Sequence, residues 1–282
     1  MKILHFNNPE ESISYHKHIA LKKQAPYVLF HHGFMSDMNG KKALAIEKFC
    51  QERGYNYIRF DNFGCGSSSG ILTDQTISTW LRGANYAMDQ LTEDTSVLLV
   101  GSSLGAWIAV LSAMTNKTKV IGVIALSAAF DFTEELIWNN LLPEQRLKLE
   151  GGDICYIKGT NQNCDNSYPI TMDLIVDARQ YLLLNKETID ISCPVSLIHG
   201  TQDLDVPCTI SRRALEKFTN SSNVTLELID GADHRLSRPY DLRIVCEAID
   251  KILHVHVYAL KTNKFQILTL ITLILNCNDF TI

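Results

Sequence analysis

Val97-Leu98-Leu99-Val100-Gly101-Ser102-Ser103-Leu104-Gly105 is a short apolar run that ends in the pattern G-x-S-x-G. The run predicts a buried strand, and Leu104 to Met114 behind it predicts a helix. Between them lies a turn so tight that a side chain at 101 or 105 would strike neighbouring backbone, which is why glycine is needed at both. Such a turn lifts Ser103 out of the sheet at the head of the helix. It also leaves the Leu104 N–H free to face an oxyanion. Five residues of this kind recur by chance, and the strand before and helix after give them weight. Ser102 is the rival nucleophile, one position off the apex. The bland alternative is a glycine-rich turn without chemistry.

The same alternation extends on both sides. Tyr27 to Phe30, Tyr55 to Phe60 and Val120 to Leu126 predict strands, with helices over Lys41 to Glu52 and Thr76 to Leu91. After a polar stretch, strands return at Val195 to Ile198 and Val224 to Ile229, with helices over Ile210 to Phe218 and Asp241 to Leu253. Repeated β-α units imply an α/β fold with a mostly parallel, doubly wound sheet covered by helices on both faces. The polar stretch, about 131–190, is expected to be a helical cap inserted over the C-terminal edge of the sheet. Asp131 with Glu134 resembles a capping box opening a helix at Phe132. One domain over 1–253 is expected, and 254–282 reads as an extension with no evident place in it.

Composition narrows the class. At 282 residues the chain can bury a large core, and its net charge of −5 disfavours nucleic acid or an anionic membrane as a main partner. No stretch has the ~18 apolar residues of a membrane helix. The eight cysteines form no C-x-x-C pair, and reduced thiols are expected. His31 and His32 are neighbours in a strand, so their side chains diverge and cannot readily share an ion. No metal and no cofactor are expected. Gly64-Cys65-Gly66-Ser67-Ser68-Ser69-Gly70 imitates a dinucleotide loop, but helical periodicity starts only near Thr76. It reads as a loop at the mouth of the site.

A serine hydroxyl needs a base, and on this scaffold acid and base follow in the order Ser, Asp/Glu, His. Asp203 follows the strand that ends near His199, and Asp205 is the alternative acid. His234 lies in the loop after the next strand and is the expected general base, with Asp203 holding its tautomer. His199 is expected merely to cap its strand end. The second oxyanion donor is expected from the loop His31-His32-Gly33-Phe34, as the Phe34 N–H.

At this point the chain resembles one branch of the α/β-hydrolases over about Ile13 to Leu253. The resemblance is carried by Gly33-Phe34-Met35-Ser36-Asp37-Met38-Asn39-Gly40-Lys41-Lys42-Ala43-Leu44, by Arg59-Phe60-Asp61, by the serine turn and by Ala232-Asp233-His234-Arg235. That branch contains a mitochondrial palmitoyl-protein thioesterase that also acts as an acyl-glucuronide esterase, with bacterial relatives. Asp131 to Trp138 and Leu236-Ser237-Arg238-Pro239 look more like the bacterial members. The chain departs from the branch at Ala106, commonly Gly, and at Cys208, commonly Trp.

The resemblance implies a serine hydrolase that cleaves acyl esters or thioesters through an acyl-enzyme, with an acylated protein among the conceivable substrates. A carboxylesterase, an acyl-glucuronide esterase, a peptidase and a carbon–carbon bond hydrolase are the alternatives. A non-catalytic protein would have a broken triad. Trp138, Leu141 and Cys208 are expected in the substrate pocket. The expected compartment is a bacterial cytoplasm, with the mitochondrial matrix as the alternative. Neither acyl length nor oligomeric state follows from the sequence.

Overall fold

A computed structural model describes residues 1–21, 25–159 and 167–256. Eight strands form one sheet in the order β1-β2-β4-β3-β5-β6-β9-β10. They are β1 (Lys2–His5), β2 (Ser12–His18), β3 (Tyr27–His31), β4 (Asn56–Phe60), β5 (Val97–Ser102), β6 (Val120–Leu126), β9 (Val195–Gly200) and β10 (Val224–Ile229). From β4 to β10 every pairing is parallel. The α/β-hydrolase fold expected from the sequence is the fold observed. β1 and β2 add an antiparallel edge that the sequence reading did not anticipate.

The buried strands alternate between two cores, as period-2 side chains must. Leu29, Leu99 and Val123 face helices α2 (Ile77–Thr92), α3 (Leu104–Thr115) and α6 (Thr209–Leu215). Val28, Val100 and Ile124 face α1 (Lys41–Arg53) and α7, the helix over 239–256. Leu104 through Ala113 of α3 are all buried, which accounts for a helix apolar on every side. Residues 257–282, most of the proposed extension, lie outside the described residues. The six described cysteines are unpaired.

Between β6 and β9 the chain leaves the sheet. It forms a π-helical turn (Thr133–Ile137), α4 (Pro143–Glu150), the antiparallel pair β7 (Cys155–Lys158) and β8 (Ser167–Ile170), and α5 (Met172–Ala178). The strand pair is a departure from the helical cap expected. The capping box is a second departure. The Asp131 side chain accepts N–H bonds from Leu183 and Leu184 at 2.8–2.9 Å, so the entry of the excursion is tied to its exit. Its backbone carbonyl, not its carboxylate, takes the N–H groups of Glu134 and Glu135. Further ties run from the Ser78 hydroxyl at the start of α2 to Asp177 and from Trp107 Nε1 to the Tyr181 carbonyl.

Candidate active site

Ser103 sits between β5 and α3 with φ 56° and ψ −120°, a left-handed conformation for a residue with a side chain. Holding it costs about 1–3 kcal/mol, and the packing around it supplies the constraint. A Cβ on Gly101 would lie 2.2 Å from the Gly105 carbonyl oxygen, and one on Gly105 would lie 2.2 Å from the His31 carbonyl oxygen. Both glycines of the motif are therefore required by contact. Ser103, Leu104, Phe34 and His234 all line one cavity of about 650 Å³. Ser102 also reaches this cavity but belongs to the regular strand.

His234 Nδ1 lies 2.8 Å from Asp203 Oδ2. The same oxygen is 3.1 Å from His199 Nε2, while Asp203 Oδ1 accepts the N–H groups of Asp205 and Val206 at 3.0 and 2.8 Å. Burial raises the Asp203 carboxyl. The hydrogen bonds from His199 and His234, the His234 charge and the Val206 N–H outweigh it and hold the group well below the usual carboxylate range. Asp203 thus meets His234 as an anion. Asp205 stands close by, with a carboxylate oxygen within 4.8 Å of ligand atoms of Asp203 and His234. A metal there would have to displace N–H donors that already occupy both Asp203 oxygens, so these three residues are built as a hydrogen-bonded set. Ser103 Oγ and the His234 ring share the cavity wall without a hydrogen bond between them among the described residues. Contacts of this kind are often long before substrate binds.

The Leu104 and Phe34 N–H groups have no acceptor among the described residues. The Phe34 peptide is held from behind by a residue the sequence reading passed over. His32 Nε2 accepts the Asn62 N–H at 2.9 Å, so the ring proton is on Nδ1, which donates to the Gly33 carbonyl at 2.7 Å. Gly33 C=O and Phe34 N–H belong to one trans peptide and point in opposite directions. The grip on the carbonyl therefore fixes the direction of the N–H. Burial lowers the His32 pKa against the pull of Gly33 and of the Asp61 and Asp37 charges. The Phe34 ring is wedged among Trp80, Phe132 and Tyr168 at 5.8–5.9 Å.

The Arg59-Phe60-Asp61 motif acts on the same loop. Arg59 Nη1 donates to the Met38 carbonyl at 3.0 Å, and Asp61 Oδ1 accepts the Met38 N–H at 2.7 Å. The two peptides that flank Met38 are thus both held, and Glu47 neutralises the buried Arg59 at 3.0 Å. Across the cavity, Lys42 donates to the carbonyl of Arg235, next to His234. Burial pushes the Lys42 ammonium down to about 8, although the facing carboxylates of Asp233 and Asp203 oppose this.

The expected pocket residues need correction. Trp138 does not line the cavity. Its ring is sandwiched between the Arg146 and Arg179 guanidinium groups at 5.1 and 5.0 Å. Leu141 is buried in the core, and Cys208 is the half-buried cap residue of α6. The apolar wall includes Phe34, Phe132, Leu136, Ile137, Ile157, Tyr168 and Ile170. Helix periodicity could not show this, because Ile157, Tyr168 and Ile170 come from the unanticipated strand pair. His199 is likewise no simple strand cap. It is fully buried behind Asp203, and its position four residues before that aspartate was the available signal.

Comparison with known proteins agrees with this architecture. The α/β hydrolase fold family matches residues 26–152. The palmitoyl-protein thioesterase ABHD10 of Bos taurus, named as mitochondrial, is 33% identical over 233 residues, covering 83% of this chain and 74% of its own. The mouse α/β hydrolase domain-containing protein 10 superposes with a TM-score of 0.80 at 30% identity, over 90% of this chain and 98% of its own. A structure from Agrobacterium vitis S4, named as a hydrolase, superposes at 0.82 with 30% identity, over 89% and 97%. With the elbow at Ser103 set in an eight-stranded sheet of this order, the chain belongs to the α/β-hydrolase family, in the branch of the ABHD10 proteins.

Proposed function

We propose that the protein is a serine hydrolase that cleaves acyl esters or thioesters, with Ser103 as nucleophile, His234 as general base and Asp203 as the acid that orients it. The observation that carries the reading is the elbow serine facing, in one cavity, a histidine bonded to a buried anionic aspartate. Ser103 Oγ attacks the acyl carbonyl carbon as His234 Nε2 takes its proton. The Phe34 and Leu104 N–H groups donate to the oxygen that becomes negative. Collapse breaks the bond to the thiol or alcohol, which leaves with the proton from His234. Water then attacks the acyl-enzyme with His234 again as base, releasing the acid and restoring Ser103.

The described part of residues 131–190 acts as the cap in this reading, and the apolar wall it shares with Phe34 receives the acyl chain. The thioesterase name of the ABHD10 relatives supports thioesters, and an acylated protein, as substrates. That those relatives are named as mitochondrial supports the mitochondrion over the cytoplasm as compartment. No helix of the described residues is long and apolar enough to cross a membrane. A fluorophosphonate probe should label the wild type and not Ser103→Ala. Labelling that persists in the variant refutes the assignment. A chain-length series of acyl thioesters and p-nitrophenyl esters, with Ser103→Ala as blank, ranks the substrates.

A further inference from the structure

Orienting one imidazole needs one carboxylate oxygen with one free lone pair, yet Asp203 Oδ2 receives two ring N–H groups. His199 Nε2 is 3.1 Å from this oxygen and 2.9 Å from the Val206 carbonyl. Both neighbours only accept, so Nε2 carries the proton and shares it between them. On the far side Ser211 Oγ lies 2.7 Å from His199 Nδ1. Both residues are 0% exposed, and the hydroxyl, which has no other partner in the described residues, donates to Nδ1. The ring is thus locked in one tautomer and one orientation from α6.

We propose that His199, locked by Ser211, is a positioning residue for Asp203 whose N–H draws charge away from His234 and so limits how tightly the carboxylate holds the protonated base. The inference rests on the assignment of Ser103, His234 and Asp203 above. Its chemistry is that of a shared acceptor. Two donors on one oxygen compete for the same electron density, and each bond is weaker than it would be alone. A base held too strongly in its protonated form is slow to return the proton to the leaving group. A purely structural role for His199 would leave that balance untouched. The other groups facing the pair stay as they are in the variants below. They are Asp205 beside Asp203, Asp233 and Arg235 flanking His234, and Lys42 from α1.

The test is the pH profile of kcat/KM from pH 5 to 9.5 on a p-nitrophenyl ester. His199→Phe keeps a buried ring and removes the donor, and His199→Gln returns an N–H near the position of Nε2. In His199→Phe the acid limb should move up by about half a unit to one unit, a factor of about 3–10 in the protonation equilibrium. In His199→Gln it should stay with the wild type. Ser211→Ala, which unlocks the ring at smaller cost in packing, should move the limb the same way by less. It decides the matter if His199→Phe does not fold. An unmoved acid limb in folded His199→Phe, or in Ser211→Ala when that variant decides, overturns the proposal. So does a limb in His199→Gln that moves as far as in His199→Phe. His234→Ala separates the two levels. If it retains activity the triad assignment itself fails, whereas an inactive His234→Ala with an unmoved His199→Phe limb defeats this inference alone.

Discussion

Replacing His31 by leucine should make the protein markedly more resistant to acid. His31 ends β3 at 1% exposure, stacked edge-on against Phe60 at 5.2 Å, and neither ring nitrogen has a partner among the described residues. Burial, with a smaller push from His32, lowers its pKa from 6.5 to about 3. The unfolded chain therefore binds a proton below pH 6.5 that the native state refuses until about pH 3. The stability involved is intact above 6.5 and drains away as pH falls through that window. At pH 5 the unfolded side is about 1.5 units into it, and at about 1.4 kcal/mol per unit the loss is about 2 kcal/mol. Leucine has nothing to titrate. Whatever it changes in packing or desolvation acts equally at pH 7.5 and pH 5, and so cancels in the difference between them. Urea unfolding of both proteins at both pH values gives that difference directly. The gain of His31→Leu over wild type should be about 2 kcal/mol larger at pH 5. A gain the same at both pH values, within about 0.5 kcal/mol, would show that native His31 takes up its proton in the ordinary range and would refute the reasoning.

Three further outcomes follow from the same structure. Asp131 is the opposite case, since burial, against the Leu184 and Leu183 N–H bonds, raises its carboxyl from 3.8 to about 6. The native state holds the proton the unfolded chain has lost, so stability falls as pH rises from about 4 to 6. Asp131→Asn should remove about 3 kcal/mol of that dependence in urea unfolding, and an unchanged slope would count against it. His32→Leu releases the Gly33 peptide, and steady-state kinetics should show kcat down by about 10²-fold with KM little altered. A kcat within threefold of wild type would mean that the Phe34 N–H needs no such grip. Phe132→Ala opens the apolar wall, and the ratio of kcat/KM for long over short acyl esters should rise at least about threefold. A constant ratio would mean that the chain binds elsewhere.

The strands β3 to β6, β9 and β10, the serine elbow, and Asp203 and His234 each placed after its own strand were legible before any coordinates. Each rests on local chemistry: a glycine-flanked turn between an apolar run and a helix, and polar residues directly after strands. Gly101 is forced by a contact four residues on, which the local sequence carries, whereas Gly105 is forced by the His31 carbonyl of β3, which only the fold brings there. The edge strands β1 and β2 carried too weak an alternation to be seen. The pair β7 and β8 was masked because its polar and apolar residues follow a small sheet and not a helix.

The sequence by itself determined what chemistry is available, because the parallel α/β frame brings the residues after its strands to one edge. Only the tertiary structure decided what surrounds that chemistry. It set Trp138 beside two arginines and off the cavity, set Phe132 and Ile170 in the wall, and put His32 behind the Gly33–Phe34 peptide and His199 behind Asp203. The physical reason is range. A turn or a strand end is specified by neighbours in the chain, whereas the side of a ring that meets a carboxylate is specified by whatever packs there from elsewhere in the fold.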